Sequence, residues 1–222
     1  MMASFGKLSE LQCDVLSAFF SQEHGFYLSG GAALAGFHIK HRTTDDLDFF
    51  SQELGDMEIG RHCLQDVARH LNATIEAKVA SPSFHRSVLS RGTEHLVIDL
   101  VHENVPQLHP NKMLVGKLRV DPPDEILANK LTALVGRTEE RDIVDVLFLE
   151  RSGLRTEDLL PAALRKDGSC TPTTLSWLLS EWTIPDEATL PAGILPKDLR
   201  AFISEFIRRL RVAGFPGDPS NK

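Results

Sequence analysis

Leu28-Ser29-Gly30-Gly31-Ala32-Ala33-Leu34, followed by Arg42-Thr43-Thr44-Asp45-Asp46-Leu47-Asp48-Phe49-Phe50, is the stretch from which the fold is read. Diglycine breaks an apolar strand and opens a short helix, so the backbone can approach a phosphate where the helix N-terminus favours negative charge. Downstream, Asp46 and Asp48 stand at i and i+2 of a predicted strand and share one face, with Leu47 and Phe49 on the other. Two converging carboxylates repel each other unless a cation lies between them. Carboxylate oxygens are the ligands that Mg²⁺ prefers.

Working outward, the first half mixes helices and strands. Leu8, Leu11, Val15, Leu16 and Phe19 repeat at helical spacing, Phe26–Leu28 reads as a strand, and Met57–Leu71 as a helix. Three more strands are expected at Thr74–Val79, Phe84–Arg91 and His95–Val101. The last holds Asp99 in an apolar run, on the face of Val97 and Val101; a buried carboxylate needs a partner or a metal. Two readings stand: a third metal ligand, or a strand-end carboxylate hydrogen-bonded to a loop.

The second half reads as helical. Pro122-Pro123-Asp124-Glu125 is a helix start, with prolines at the first positions and carboxylates in the first turn. That helix runs to Val135, and Thr138-Glu139-Glu140-Arg141 opens the next, through Leu149. Further helices are expected at Thr156–Leu164, Thr173–Trp182 and Lys197–Val212. The expected class is α+β: a mixed sheet with helices on one face in residues 1–120, a helical domain in 121–213 and a loose tail in 214–222.

Composition narrows the function. The chain has 222 residues and a net charge of −7, which argues against a nonspecific nucleic-acid coat. Residues 1–110 hold 8 basic and 14 acidic side chains, and all 9 histidines. Three scattered cysteines (Cys13, Cys63, Cys170) form no CxxC pair, so neither a disulfide framework nor a zinc site is expected. No apolar run reaches the roughly 20 residues of a membrane helix, and the N-terminus lacks a signal-peptide layout. A cytoplasmic protein is expected. Gly31-x4-Gly36 is followed by Phe37 and His38, so it is not a P-loop, and His102-Glu103-Asn104 has no second histidine at HExxH spacing.

Gly30-Gly31, Asp46-Leu47-Asp48 and the later strand aspartate Asp99 together resemble the DNA polymerase β nucleotidyltransferase superfamily. More closely, GGAAL…HRTTDDLDFF resembles the AbiEii/AbiGii toxin family. Pro122-Pro123-Asp124-Glu125-Ile126-Leu127-Ala128-Asn129-Lys130-Leu131 and Arg137…Arg141-Asp142-Ile143-Val144-Asp145-Val146 look like that family's later block. The resemblance implies a nucleotidyltransferase-like fold and transfer of NMP from an NTP, with Mg²⁺ or Mn²⁺. Metal ligands would be Asp46, Asp48 and Asp99; nucleotide contacts Ser29, Gly30, Gly31, Arg42, Thr44 and Lys130. Lys130 and Asp145 would act as a pair, Asp142 being the alternative partner, so the implied catalytic set is Asp46, Asp48, Asp99, Lys130 and Asp145. A toxin–antitoxin or phage-defence role follows, with a tRNA or protein acceptor and a genetic antitoxin partner. The rival readings are a small-molecule (antibiotic-type) nucleotidyltransferase and a non-catalytic nucleotide-binding protein of the same fold. Lys197, Arg200, Arg208, Arg209 and Arg211 on the last helix form either a solvated face or an RNA contact.

Overall fold

The computed structural model describes residues 5–22, 25–137 and 139–214. It falls into two compact units. One holds the described residues up to Val105 together with His109–Pro122; the other holds Pro106–Leu108 and the described residues from Pro123 onward. The tail expected beyond Gly214, and Thr138, lie outside the described residues.

The first unit contains α1 (Glu10–Phe19), β1 (Tyr27–Leu28), α2 (Gly30–Phe37), β2 (Asp46–Ser51), α3 (Asp56–His70), β3 (Thr74–Ala80), β4 (Phe84–Arg91), β5 (Glu94–His102), β6 (Met113–Val115) and β7 (Leu118–Val120). The strands form one mixed sheet in the order β3-β4-β5-β2-β1-β7-β6. Pairs β2/β5 and β1/β7 are parallel, and the rest antiparallel. The mixed α+β class agrees with the sequence expectation.

The period-2 alternation of β2 divides the sheet. Leu47 and Phe49 are in register with Ile98 and Leu100 of β5, and all four are buried. Against this face lie Leu11, Val15, Leu16 and Phe19 of α1 and Leu64, Val67 and Ala68 of α3, also buried. The Phe19 and Phe49 rings stack with centroids 4.4 Å apart. Gly60 lets α3 come close: a Cβ there would sit 2.6 Å from the Phe26 ring and 3.0 Å from Leu100. The opposite face carries Asp46, Asp48 and Phe50 of β2 in register with Val97, Asp99 and Val101 of β5.

The sequence reading did not foresee the β6–β7 hairpin. Its signal is an apolar run on each side of Gly116-Lys117, with Val115 paired to Leu118 across that two-residue turn. Gly116 has φ +62°, which such turns require. The hairpin matters because β7 runs alongside β1: Asp121 N donates to Leu28 O at 2.9 Å, beside the diglycine.

The second unit contains α4 (Pro123–Gly136), α5 (Glu140–Arg151), α6 (Thr156–Lys166), α7 (Pro172–Ser180), a single 3₁₀ turn (Pro191–Gly193) and α8 (Pro196–Gly214). Thr171 caps α7 by accepting from Thr174 N, and Pro172 follows at the first helical position, where its missing N–H costs nothing. On α8, Leu199, Ile203, Phe206 and Leu210 form the buried stripe at helical spacing. Among the described residues no helix is long and apolar enough to cross a membrane.

Candidate active site

β1 ends at Leu28, and Ser29 turns the chain into α2 with its N–H donating to Asp48 O at 3.2 Å. Gly30 follows at φ +65°, a conformation strained for any residue with a Cβ. A Cβ on Gly30 would stand 2.8 Å from Asp48 Oδ2; one on Gly31 would stand 2.9 Å from an Arg42 Nη and 3.1 Å from Thr44 Oγ1. The diglycine therefore packs its backbone against the Asp48 carboxylate and the loop that leads into β2. The sequence motif and the acidic pair lie against each other.

That loop is braced. Thr44 Oγ1 donates to Asp46 Oδ1 at 2.6 Å. Arg42, buried at 9% exposure, donates from Nη1 to Thr43 O at 3.0 Å. Gln12 on α1 completes the helix's capping box with Ser9, and its Nε2 donates to Thr44 O at 2.9 Å. The capping glutamine thus doubles as a strut beneath Asp46. His38 at the end of α2 donates from Nε2 to Asp121 O at 2.7 Å; burial pushes its imidazole below the ordinary histidine range.

Asp99 sits directly opposite Asp48 across the β2/β5 ladder, so three carboxylates share one face. Asp99 is 4% exposed and is gripped at both oxygens by Arg86 of β4, with Nε–Oδ1 at 2.8 Å and Nη2–Oδ2 at 2.6 Å. Arg86 was not among the residues singled out from sequence. Its signal was present: counting outward from the Gly92-Thr93 turn of the β4–β5 hairpin pairs Arg86 with Asp99.

The resemblance implies a divalent cation, and the residues can be tested for it. Asp46 and Asp48 fit: two carboxylates on one strand face, one pressed against a glycine cradle that any Cβ would fill. Asp99 is differently placed, since Arg86 occupies its oxygens. Among the described residues no group of three or more His, Cys, Asp or Glu side chains is disposed to hold a metal.

Lys130, Asp142 and Asp145 meet in the helical unit. Lys130 Nζ on α4 lies 2.7 Å from Asp142 Oδ1 and 2.7 Å from Asp145 Oδ2 on α5. Both aspartates are fully buried, and Arg137 Nε adds a contact to Asp142 Oδ2 at 2.8 Å. The two partners weighed for Lys130 are thus both engaged, because i and i+3 on α5 face the same side. Burial alone would depress the Lys130 ammonium, but Asp145 and Asp142 overcome it and hold it above the ordinary lysine range. Burial would raise Asp142, yet Lys130 and Arg137 hold it below the usual carboxylate range. Nearby, Lys166 and Glu125 form a second buried pair at 2.6 Å. On α8, Arg200 binds Asp186, Arg208 binds Glu205, and Arg209 binds Glu150 and Glu157. Three of the five basic residues expected to form a solvated or RNA-facing set thus already hold acidic partners.

Residues 14–212 match the sequence profile of the family described as nucleotidyl transferase AbiEii toxin, type IV TA system. The chain belongs to the AbiEii nucleotidyl transferase toxin family. Among solved structures, JHP933 from Helicobacter pylori superposes with a TM-score of 0.60 at 20% identity, over 91% of this chain and 91% of that one. MenT4, a nucleotidyltransferase toxin from Mycobacterium tuberculosis, superposes with a TM-score of 0.51 at 14% identity, over 95% of this chain and 84% of that one. At these identities the structural likeness speaks for the fold alone. No curated protein matches the chain by sequence. This AbiEii-family chain is a toxin-type nucleotidyltransferase, and its substrate is an NTP.

The Gly30 cradle gives a sharp expectation. Gly30→Ala adds a left-handed strain of about 1–2 kcal/mol and drives a methyl into Asp48 Oδ2. Weakened NTP binding together with a lowered urea midpoint is the expected result. Gly31→Ala meets the movable end of the Arg42 side chain instead, so its effect on binding should be clearly smaller. Equal binding by Gly30→Ala and wild type would refute the cradle.

Proposed function

We propose that this toxin transfers the nucleoside monophosphate of an NTP to an RNA acceptor such as a tRNA end, or to a protein, with Mg²⁺ or Mn²⁺ held by Asp46 and Asp48. The observation that supports the reading is the close approach of the Gly30 backbone to the Asp48 carboxylate, which sets the diglycine beside the acidic pair of β2. The acceptor nucleophile attacks the α-phosphorus, the bond to the bridging oxygen breaks, and pyrophosphate leaves. The cation, when bound, offsets phosphate charge and favours in-line geometry between nucleophile and leaving group.

Within the chain, Gly30 and Gly31 offer backbone at the start of α2 to the phosphates, and Ser29 at its N-cap completes the nucleotide-facing stretch. Thr44 orients Asp46, and Arg42 steadies the loop that carries both. On family resemblance Lys130 and Asp145 are read as a functional pair, Lys130 Nζ lying against Asp145 and Asp142 within the helical unit. Asp99 is bound at both oxygens by the Arg86 guanidinium. Service in a toxin–antitoxin or phage-defence system, with an antitoxin as genetic partner, belongs to the same reading.

Two measurements on the full chain test it. Induced expression should arrest growth, and purified protein given α-labelled NTPs with Mg²⁺ should move label onto bulk tRNA or a protein of the lysate. Growth arrest with no transfer of label from any of the four NTPs would overturn the reading.

A further inference from the structure

On the site face of the sheet, β2, β5 and β4 place Asp48, Asp99 and Arg86 side by side in register. Neighbouring strands lie about 4.8 Å apart. The Arg86 guanidinium leans back onto Asp99, close enough to Asp48 and Asp46 to feel their charge. Two of the roughly five guanidinium N–H groups bind Asp99, through Nε and Nη2. The Nη1 edge has no partner among the described residues. The guanidinium also lies over the Phe84 ring, 5.6 Å from its centroid, and the Arg86 side chain keeps 46% of its surface exposed. Asp99 above all, then Asp48 and Asp46, hold Arg86 firmly in its charged form.

This arrangement is unlike that of a passive counter-ion. A cation bound by Asp46 and Asp48 would repel an arginine that merely neutralised them. Here the Arg86 charge is already matched by Asp99, so it remains in place when the neighbouring pair binds metal. The fork is anchored along one edge and displays the other, the geometry by which arginine binds phosphate oxygens.

We propose that Arg86, fixed by Asp99, is a phosphate-binding residue of the site, and that Asp99 is its positioning residue and not a metal ligand. The proposal rests on the nucleotidyl-transfer reading above. The phosphate belongs either to the NTP or to the backbone of an RNA acceptor, since both offer the same anionic oxygens.

Calorimetry with each of the four NTPs plus Mg²⁺, and gel-shift titration with bulk tRNA, distinguish these sources on the full-length protein. Arg86→Ala is expected to weaken binding about 10- to 100-fold. A loss confined to NTP, alike for every NTP that binds, assigns the triphosphate; a loss confined to tRNA assigns the acceptor backbone. Either supports the proposal. Arg86→Lys should recover part of the loss but not the bidentate grip. Arg86→Ala leaves Asp99 buried and unpaired, so Arg86→Gln/Asp99→Asn, neutral at both positions, is measured beside it, with thermal melts to show folding. Direct Mn²⁺ titration is the second readout: Asp99→Asn should bind Mn²⁺ as wild type does, while losing phosphate affinity through the released arginine. The proposal falls if the folded Arg86 variants bind both probes like wild type. It falls equally if Asp99→Asn loses Mn²⁺ while Arg86→Ala gains it, because Asp99 is then a ligand. A wild-type protein that binds no NTP with either metal overturns the transfer reading and this proposal together, whereas wild-type binding unchanged in the variants overturns this proposal alone.

Discussion

Asp48→Asn is expected to lower label transfer from NTP about 1,000-fold, with folding intact. The substitution keeps the size of the side chain and removes one of the two charges that would hold the cation. A bound cation contributes several kcal/mol of charge stabilisation in the transition state, and each 1.36 kcal/mol is about tenfold in rate. Asp48 is also the carboxylate that lies against the diglycine. Asp46→Asn should fall nearly as far, because Thr44 Oγ1 already orients the Asp46 oxygen. Both variants should lose growth arrest on induction. Transfer by Asp48→Asn at wild-type rate would show that the acidic pair is not the metal site.

The second large effect is on stability. Lys130→Met leaves Asp142 and Asp145 buried without the ammonium that joins them, and breaking such a group typically costs about 3–5 kcal/mol. That is a large part of the roughly 5–15 kcal/mol of a folded domain. Arg137 remains on Asp142 and should keep the loss toward the lower end. Urea denaturation at neutral pH gives the magnitude. Adding Asp142→Asn and Asp145→Asn to Lys130→Met should recover part of the loss, since neutral side chains no longer need the cation.

The pH dependence follows from the directions of the two shifts. Asp142 is held below its unfolded value, so its contribution is present above about pH 3.9 and lost as acid carries the folded carboxyl through its own lower value. Lys130 is held above its unfolded value, so its contribution is present below about pH 10.4 and lost as alkali carries the folded ammonium through its own higher value. Wild type should therefore be most stable between these limits. Lys130→Met should show a shallower fall on the alkaline side; equal alkaline slopes would show that the cluster contributes no such linkage.

Much of this molecule was legible in the residues themselves. Period-2 alternation at Asp46–Ser51 set both the buried face and the acidic face of β2, because neighbouring side chains on a strand must point opposite ways. Helix starts at Pro123 and Pro172 and the apolar stripe of α8 follow from local rules of the same kind. The diglycine announced a close approach, though not what would approach it. Local sequence also shows that Asp99 needs a partner, since an apolar strand cannot leave a carboxylate bare.

Which partner it takes was decided only in three dimensions. Strand order, not chain order, sets Asp99 between Asp48 and Arg86, and gives it a bidentate contact with Arg86. In the same way, the packing of α5 against α4 gave Lys130 two carboxylates where the motif had suggested a choice of one. Periodicity is a property of a segment and survives in a one-dimensional reading. Pairing of charges depends on which segments become neighbours, and for buried ions that neighbourhood sets whether a carboxylate binds metal, takes a proton or anchors an arginine.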